Sequence, residues 1–424
     1  MDIIGKKIMI LGEGVSGRAA FEALREIAMP YFFDGEFLRS CTSCAIQHDN
    51  KKQQENVVAR PDIIITSPGI GSHALFDYAL QHGVPVISEL ELGFLLNRTP
   101  VVAITGTNGK TTVTKLIGDM LSKKFKVAVC GNIGLPFSSV ANGCHDIAVV
   151  EVSSFQLERC YQFKPHIAVI TNISEDHLDR HGNMQNYIDI KMSINKNQAE
   201  NDYFILPAEL KEQLPKTKSN LIFSDESAYI NCGYIEYLGE KVVPLSAIKI
   251  SGEHNKKNIM QAMIAAKLMG VSNEDIEAAV SEFEADRHRL ELVGEKSGKK
   301  WYDDSKATNI EACLSACESM VGDTALILGG SDKGYEYGEL FRRLPKGIKV
   351  VFLMGEVKEK LRAASRDVGH EVMAIGVLDL AEAVRFSRDL IVDNVLLSPA
   401  AASFDMYRDY KERGEDFRKL VDAL

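Results

Sequence analysis

No stretch of the 424 residues stays apolar for long. Runs such as Ala148–Val150 and Thr324–Leu328 fall far short of the ~18–20 residues that cross a bilayer. Lys6 and Lys7 precede Ile8–Leu11, but Glu13 follows at once, so the start of the chain reads without an export signal. Basic residues are not in excess. Lys and Arg number 49 against 59 Asp and Glu, a net charge of -10. A nucleic-acid binder carries a basic face, and nothing here demands one. Eight cysteines are too few for a disulfide framework and are expected as reduced thiols of a cytoplasmic protein. Cys41-Thr-Ser-Cys44 with His48 is half a zinc site, and no second Cys-x-x-Cys completes it. Internal repeats and low-complexity tracts are also missing. A hydrophobic share of 45% and a charged share of 25% exclude a mainly disordered or fibrous chain. At about 150 residues per domain, the length suggests roughly three.

What is present alternates. Lys7–Leu11 reads as a strand that runs into Gly12-Glu-Gly-Val-Ser-Gly17, with a helix from Arg18 to about Ala28 and a strand-like run Tyr31–Phe33 ending at Asp34. Ile63–Thr66 is closed by the turn Ser67-Pro-Gly69. A second block starts near Thr99. It carries buried-strand candidates Val101–Thr105, Val127–Cys130, Asp146–Val150 and Ile167–Thr171, and a helix from about Asn255 to Met269. A third begins near Asp286, with strands at Trp301–Tyr302, Ala325–Leu328, Lys349–Met354, Val372–Ile375 and Val395–Leu397. Strands alternating with helices predict parallel sheets, hence three consecutive α/β domains. The expected boundaries are 1–97, 98–285 and 286–424. The first and third read as Rossmann-like and the central one as P-loop ATPase-like.

Gly106-Thr-Asn-Gly-Lys-Thr-Thr112 is the strongest local signal. Between a strand and a helix, its glycines let backbone N–H groups approach phosphate oxygens, and the helix N-terminus favours anions. Lys110 can reach the outer phosphates and the Thr111 hydroxyl a magnesium ion. The strict pattern asks for glycine at 104, where this chain has Ile104. Gly12-x-Gly-x-x-Gly17, with Asp34 about 20 residues on, matches a dinucleotide fingerprint; the same glycines also serve simple close packing of helix on strand.

Glu151 lies at the carboxyl end of a strand, where α/β sheets hold ligands, and can bind magnesium beside a phosphate loop. Glu175-Asp-His-Leu-Asp-Arg-His181 reads equally as a metal-binding cluster or a solvated loop. Trp301-Tyr-Asp-Asp-Ser-Lys-Ala-Thr308, Lys333 after Gly329-Gly-Ser-Asp, and Ser398-Pro-Ala-Ala-Ala-Ser403 all lie at the carboxyl ends of strands, so they are expected on one sheet edge. Cys313, Cys317, Met260, Met263 and Met269 read as helix packing.

Together these motifs resemble the Mur ligases, the ATP-dependent amide ligases of peptidoglycan synthesis. The resemblance covers essentially the whole chain. It rests on Gly106–Thr112, Glu151-Val-Ser-Ser-Phe-Gln-Leu157, Glu175-Asp-His-Leu-Asp179, His254-Asn-x-x-Asn258, Arg287-His-Arg289 and Asp304-Ser-Lys-Ala-Thr-Asn309. The last motif, with Leu397–Ser403, is most similar to the branch that adds D-glutamate to UDP-N-acetylmuramoyl-L-alanine. No Asp-Asn-Pro-Arg occurs, which speaks against a diaminopimelate- or lysine-adding member. A folylpolyglutamate synthase and a nicotinamide-binding protein with an NTPase module are the competing readings.

The resemblance implies roles. Gly14, Val15, Ser16, Asp34, Ser67 and Asn132 would hold the UDP-linked substrate. Gly106, Thr107, Asn108, Gly109, Lys110, Thr111 and Thr112, with Asn255, Asn258, Arg289 and Asp304, would hold ATP. Thr111, Glu151, His177 and Lys191 would gather around two magnesium ions. Lys191, in Tyr187-Ile-Asp-Ile-Lys191, is similar to a carbamylated lysine site, and Lys110, Lys191 and His177 would carry catalysis. Lys306, Thr308, Lys333, Ser403 and Phe404 would receive D-glutamate. A cytoplasmic monomer, with no nucleic acid or membrane as partner, is expected.

Overall fold

The structure is a computed structural model describing residues 1–33, 60–250, 252–284, 287–367 and 372–424. Four all-apolar or near-apolar segments, β1 (Lys7–Leu11), β2 (Met29–Phe32), β3 (Ile63–Thr66) and β4 (Val86–Ser88), form a parallel sheet in the order β2-β1-β3-β4. The order reverses at β1 and β3. Loops leaving their carboxyl ends therefore flank one crevice, the place where open α/β sheets take ligands. The helix after β1 spans Val15–Leu24 rather than Arg18–Ala28. It begins right after Gly14 and stops early because the chain must return to β2, where Met29 donates to the Lys6 carbonyl at 2.8 Å. Asp34, Cys41, Cys44 and His48 lie outside the described residues.

The central sheet holds β5 (Val101–Thr105), β6 (Val127–Gly131), β7 (Ile147–Glu151), β8 (Ile167–Ile170), β9 (Tyr203–Leu206) and β10 (Asn220–Phe223). All are parallel, in the order β10-β9-β8-β5-β7-β6. β5, β7 and β8 are buried on both faces, which explains their continuous apolar runs. The expectation of a buried strand at Val127–Cys130 is corrected: β6 is the sheet edge, with Val129 exposed and Cys130 alone of the four buried. A small antiparallel sheet, β11 (Ala228–Asn231), β12 (Tyr234–Tyr237) and β13 (Glu240–Pro244), follows.

The C-terminal sheet comprises β14 (Glu291–Lys296), β15 (Lys299–Asp303), β16 (Thr324–Gly329), β17 (Ile348–Met354), β18 (Met373–Gly376) and β19 (Asn394–Leu397). Their order is β14-β15-β19-β16-β17-β18. The pair β14–β15 is antiparallel and the rest parallel. The expected boundary at 285–286 falls outside the described residues.

Core packing divides the molecule unevenly. Alternate residues of the central strands feed two clusters. Val101, Ala103, Ala148 and Val150 join Ile8, Ile10, Ile63, Leu90 and Leu92 of the N-terminal region in one continuous core. Val102, Ile104, Val149 and Val169 pack under the helices Lys110–Ser122 and Glu253–Leu268. The C-terminal sheet has its own two clusters, one on each face. Among the described residues, no helix is long and apolar enough to cross a membrane.

Candidate active site

The phosphate loop forms as its glycines dictate. Gly106 and Gly109 take φ of +142° and +83°, and a Cβ on Gly109 would stand 2.5 Å from the Asn258 side chain. Glycine at both positions thus allows a turn that other residues resist. The helix Lys110–Ser122 starts directly after Gly109. The Lys110 ammonium donates to the Gly106 and Thr107 carbonyls, both at 2.9 Å. Ile104 in place of glycine does no harm to this cradle: it sits inside β5 and is fully buried.

Around the loop stand the groups named from sequence. Thr111 is buried, and so is Glu151 at the end of β7. Asn132 donates its amide to Glu151 Oε1 at 2.9 Å, while Glu151 Oε2 is buried without a partner among the described residues. Lys191 is almost fully buried, and its ammonium donates to the Gly106 carbonyl at 2.7 Å. Burial, helped by the neighbouring charge of Lys110, holds the Lys191 pKa well below its ordinary value; burial lowers Lys110 as well. His177 takes a left-handed conformation (φ 54°), and its ring packs against Phe155.

Among the described residues, the segment Glu175–His181 does not gather into one metal cluster. The Asp176 carboxylate faces the C-terminal domain, whereas His181 meets Ser154 Oγ at 3.0 Å. Among the described residues, His288, Glu291 and Asp303 do cluster. Those groups already have partners: His288 Nδ1 lies 2.6 Å from Asp303, and Glu291 pairs with Arg418 at 2.5 Å.

The C-terminal domain closes the other wall. Asp304, just past β15, accepts from the Ser398 hydroxyl at 2.7 Å and the Leu290 N–H at 3.1 Å. Burial pushes its carboxyl up to about 7. Arg289 Nε is buried without a partner among the described residues. Asn255 and Asn258 lie on one face of the helix Glu253–Leu268, the Asn258 amide donating to Asn255 at 3.2 Å. A cleft of about 1170 Å³ is lined by Thr107–Thr112, Asn132, Glu151 and His177 from one side and by Arg289, Asp304, Lys306 and Thr308 from the other.

The three C-terminal loops do meet on one sheet edge, as expected, since β15, β16 and β19 are parallel neighbours. Lys306 sits 5.6 Å from the Tyr410 ring centroid. Ser403 is buried and Phe404 is 73% exposed. Lys333 reaches Asp176 at 3.4 Å. In the N-terminal crevice, Gly12 is pressed against Ser67, where a Cβ would stand 2.7 Å from Ser67 Oγ. Ser67 Oγ is buried without a partner among the described residues, whereas Gly14 and Val15 are exposed. Ser16 is half-buried at the helix start.

Sequence reasoning missed Arg413 and Tyr335, and it gave Asp176 and Asn309, though inside quoted motifs, no part in joining the domains. Arg413 is fully buried, and each of its five N–H donors has an acceptor: Ser305 Oγ, and the carbonyls of Ser305, Gly329, Ala401 and Ala402, at 2.9–3.3 Å. It stitches all three loops together, yet in sequence it is one arginine in a charged helix. Asn309 exchanges amide hydrogen bonds with Asn108 of the phosphate loop, at 3.4 and 3.2 Å. Asp176 and Tyr335 join the two domains nearby. Nothing local in the sequence marks these contacts.

A glycine-rich strand-to-helix loop, a buried lysine beside it and the polar loop after β15 across the cleft define a class. A model described as the Mur ligase middle domain matches residues 104–266, and one described as the Mur ligase glutamate ligase domain matches residues 288–401. The chain belongs to the Mur ligase family of ATP-dependent, amide-bond-forming enzymes. Within it, a relative from Macrococcus caseolyticus named UDP-N-acetylmuramoylalanine--D-glutamate ligase is 37% identical, over 99% of this chain and 98% of its own. One of the same name from Thermoanaerobacter pseudethanolicus is 36% identical over the full length of both. In fold the chain is similar to the UDP-N-acetylmuramate-alanine ligase MurC of Thermotoga maritima (TM-score 0.59, 18% identity, 99% of each chain). It is also similar to the MurF ligase of Thermotoga maritima solved with ADP (TM-score 0.60, 18% identity, 85% of this chain and 95% of that one).

Proposed function

We propose that this chain joins D-glutamate to the alanyl carboxylate of UDP-N-acetylmuramoyl-L-alanine with consumption of ATP. The observation that carries the reading is the single cleft faced at once by the phosphate loop and by the loops after β15. The relatives' names supply the substrates. The N-terminal domain (1–97) takes the UDP end, the central domain (98–285) ATP, and the C-terminal domain (286–424) the amino acid.

The alanyl carboxylate attacks the γ-phosphate, ADP leaves, and an acyl phosphate forms. The amine of D-glutamate attacks that carbonyl, and the tetrahedral adduct collapses to amide and inorganic phosphate. Two anions must meet in the first step, so cations have to offset them. Thr107–Thr112 cradle the phosphates and Lys110 turns its charge to them. A magnesium site fits the donor set: the buried Thr111 hydroxyl and the partnerless Glu151 Oε2 are hard oxygen ligands. His177 and Lys191 would serve a second ion. Bound magnesium neutralises phosphate oxygens and stabilises the charge of the transferring group. Burial lowers the Lys191 pKa and so favours the neutral amine, the form that adds CO2 to give a carbamate and a released proton. A carbamate there turns a like-charged pair with Lys110 into an opposite-charged one.

Asn255 and Asn258 face the nucleoside side, and Arg289 and Asp304 reach phosphate and ribose from across the cleft. Gly14, Val15, Ser16 and Ser67 hold the UDP end and Asn132 the muramoyl part. Lys306, Thr308, Lys333, Ser403 and Phe404 hold the amino acid, the two lysines offsetting its carboxylates. The protein acts as a cytoplasmic monomer without nucleic-acid or membrane partners. The test is phosphate release from ATP and magnesium with UDP-N-acetylmuramoyl-L-alanine and D-glutamate, L-glutamate, L-lysine, diaminopimelate or no amino acid. Release that requires D-glutamate is expected; release with L-glutamate alone changes the specificity, and none with any of them removes the reading.

A further inference from the structure

Asp176 is a buried carboxylate at the meeting of two domains, 7% exposed. Its own domain gives it the His177 N–H at 3.0 Å. The C-terminal domain sends three donors. The Tyr335 hydroxyl reaches Oδ1 at 2.6 Å, the Lys333 ammonium reaches the same oxygen at 3.4 Å, and the Asn309 amide reaches Oδ2 at 3.4 Å. Tyr335 is itself buried, its ring part of the core on one face of the C-terminal sheet. Core packing thus fixes where its hydroxyl points. Nothing in the functional assignment above uses it.

The distances rank the three donors. Tyr335 makes the short contact, and Lys333 makes a long one through a flexible stem that leaves its charge free to turn elsewhere. A buried carboxylate stripped of partners is strongly unfavourable. Lys333 can leave Asp176 for another carboxylate only if something else keeps Asp176 satisfied.

We propose that Tyr335 is a positioning residue for the amino-acid step: it holds Asp176 across the domain boundary, so that Lys333 can exchange Asp176 for a carboxylate of the incoming amino acid. The proposal rests on the assignment of Lys333 to the amino acid. Asn309 supports the arrangement from the other oxygen and ties it to the phosphate loop through Asn108. Without the hydroxyl, Asp176 holds Lys333 more tightly, and the substrate has to compete for it.

Tyr335→Phe keeps the ring and removes one oxygen. In the full chain it is expected to raise KM for D-glutamate about tenfold, the scale of one hydrogen bond to a charged group. KM for ATP and kcat should stay within about twofold. In an Asp176→Asn background the amide no longer competes for the lysine, so the same substitution should raise KM for D-glutamate far less. Thermal unfolding of each variant checks that the fold is kept. A joint rise of KM for ATP, the UDP-linked substrate and D-glutamate would mean a merely structural role and overturn the proposal. So would an unchanged KM for D-glutamate in Tyr335→Phe while Lys333→Ala raises it. If Lys333→Ala also leaves that KM unchanged, the assignment of Lys333 fails first.

Discussion

Two lysines, Lys110 and Lys191, share the carbonyl of Gly106, Lys191 buried and Lys110 half-buried. Two ammonium ions so placed repel, and the desolvated one gives up its proton more easily. Lys191→Ala is expected to lower turnover about 10–100-fold, the range for a group that orients a metal site. Short carboxylates such as formate or acetate should restore part of it, which a turnover assay with and without them reads directly; full activity without rescue would end the carbamate idea. Asp304 shows the opposite shift. Its folded-state pKa lies near 7 and its ordinary value near 4, so between those pH values the folded chain keeps a proton that the unfolded chain has lost. Stability therefore falls as pH rises through that window. Asp304→Asn cannot ionise, so its melting temperature relative to the parent should rise between pH 5 and pH 8 in thermal melts. A constant difference would place the Asp304 pKa outside the window.

Elements differ in how much of them the sequence carried. Strands buried on both faces, such as β5, β7, β16 and β19, announce themselves as unbroken apolar runs, and the phosphate loop is a spacing that chemistry requires. The small sheet β11–β13 was not read, because its strands are short and only partly buried, with three of the four β11 residues exposed. β14 was missed for a similar reason: its alternation pattern is half-exposed and broken by a bulge near Gly294. The loops at the ends of β15, β16 and β19 were legible as places where polar residues follow a strand. What holds them together, Arg413, was not, since its acceptors are mostly backbone carbonyls, and carbonyls leave no mark in a sequence. Its neighbour Gly414 packs closely on the same loops: a Cβ there would meet the His288 ring and stand 2.7 Å from Asp303 Oδ2. Gly414→Ala should therefore push the helix Tyr410–Asp422 off β15 and lower stability by about 1–3 kcal/mol in denaturant unfolding. A neutral effect would mean that the helix shifts at no energetic penalty.

On the scale of the whole molecule, the cores set the mechanics. The N-terminal and central regions share one apolar cluster, so they are expected to move and melt together. The C-terminal domain has its own clusters and touches the centre through polar contacts, Asn108 with Asn309 and Asp176 with Tyr335. Scanning calorimetry should resolve two transitions, and a non-hydrolysable ATP analogue with magnesium should draw them closer by binding across the cleft. One cooperative transition without nucleotide would contradict this division. Polar boundaries of this kind suit a domain that has to swing shut and then release its product.

The place of β19 has a consequence for how the protein is made. That strand lies in the middle of its sheet, between β15 and β16, though it is the last of the six to be translated. A ribosome must deliver residue 397 before the sheet has a centre, and residue 413 before the guanidinium can tie its loops. Domains fold as units, N-terminal first. The growing chain thus carries a finished central sheet while its C-terminal half is still an open ribbon, and the loops at the ends of β15, β16 and β19 come together only after residue 413 has emerged.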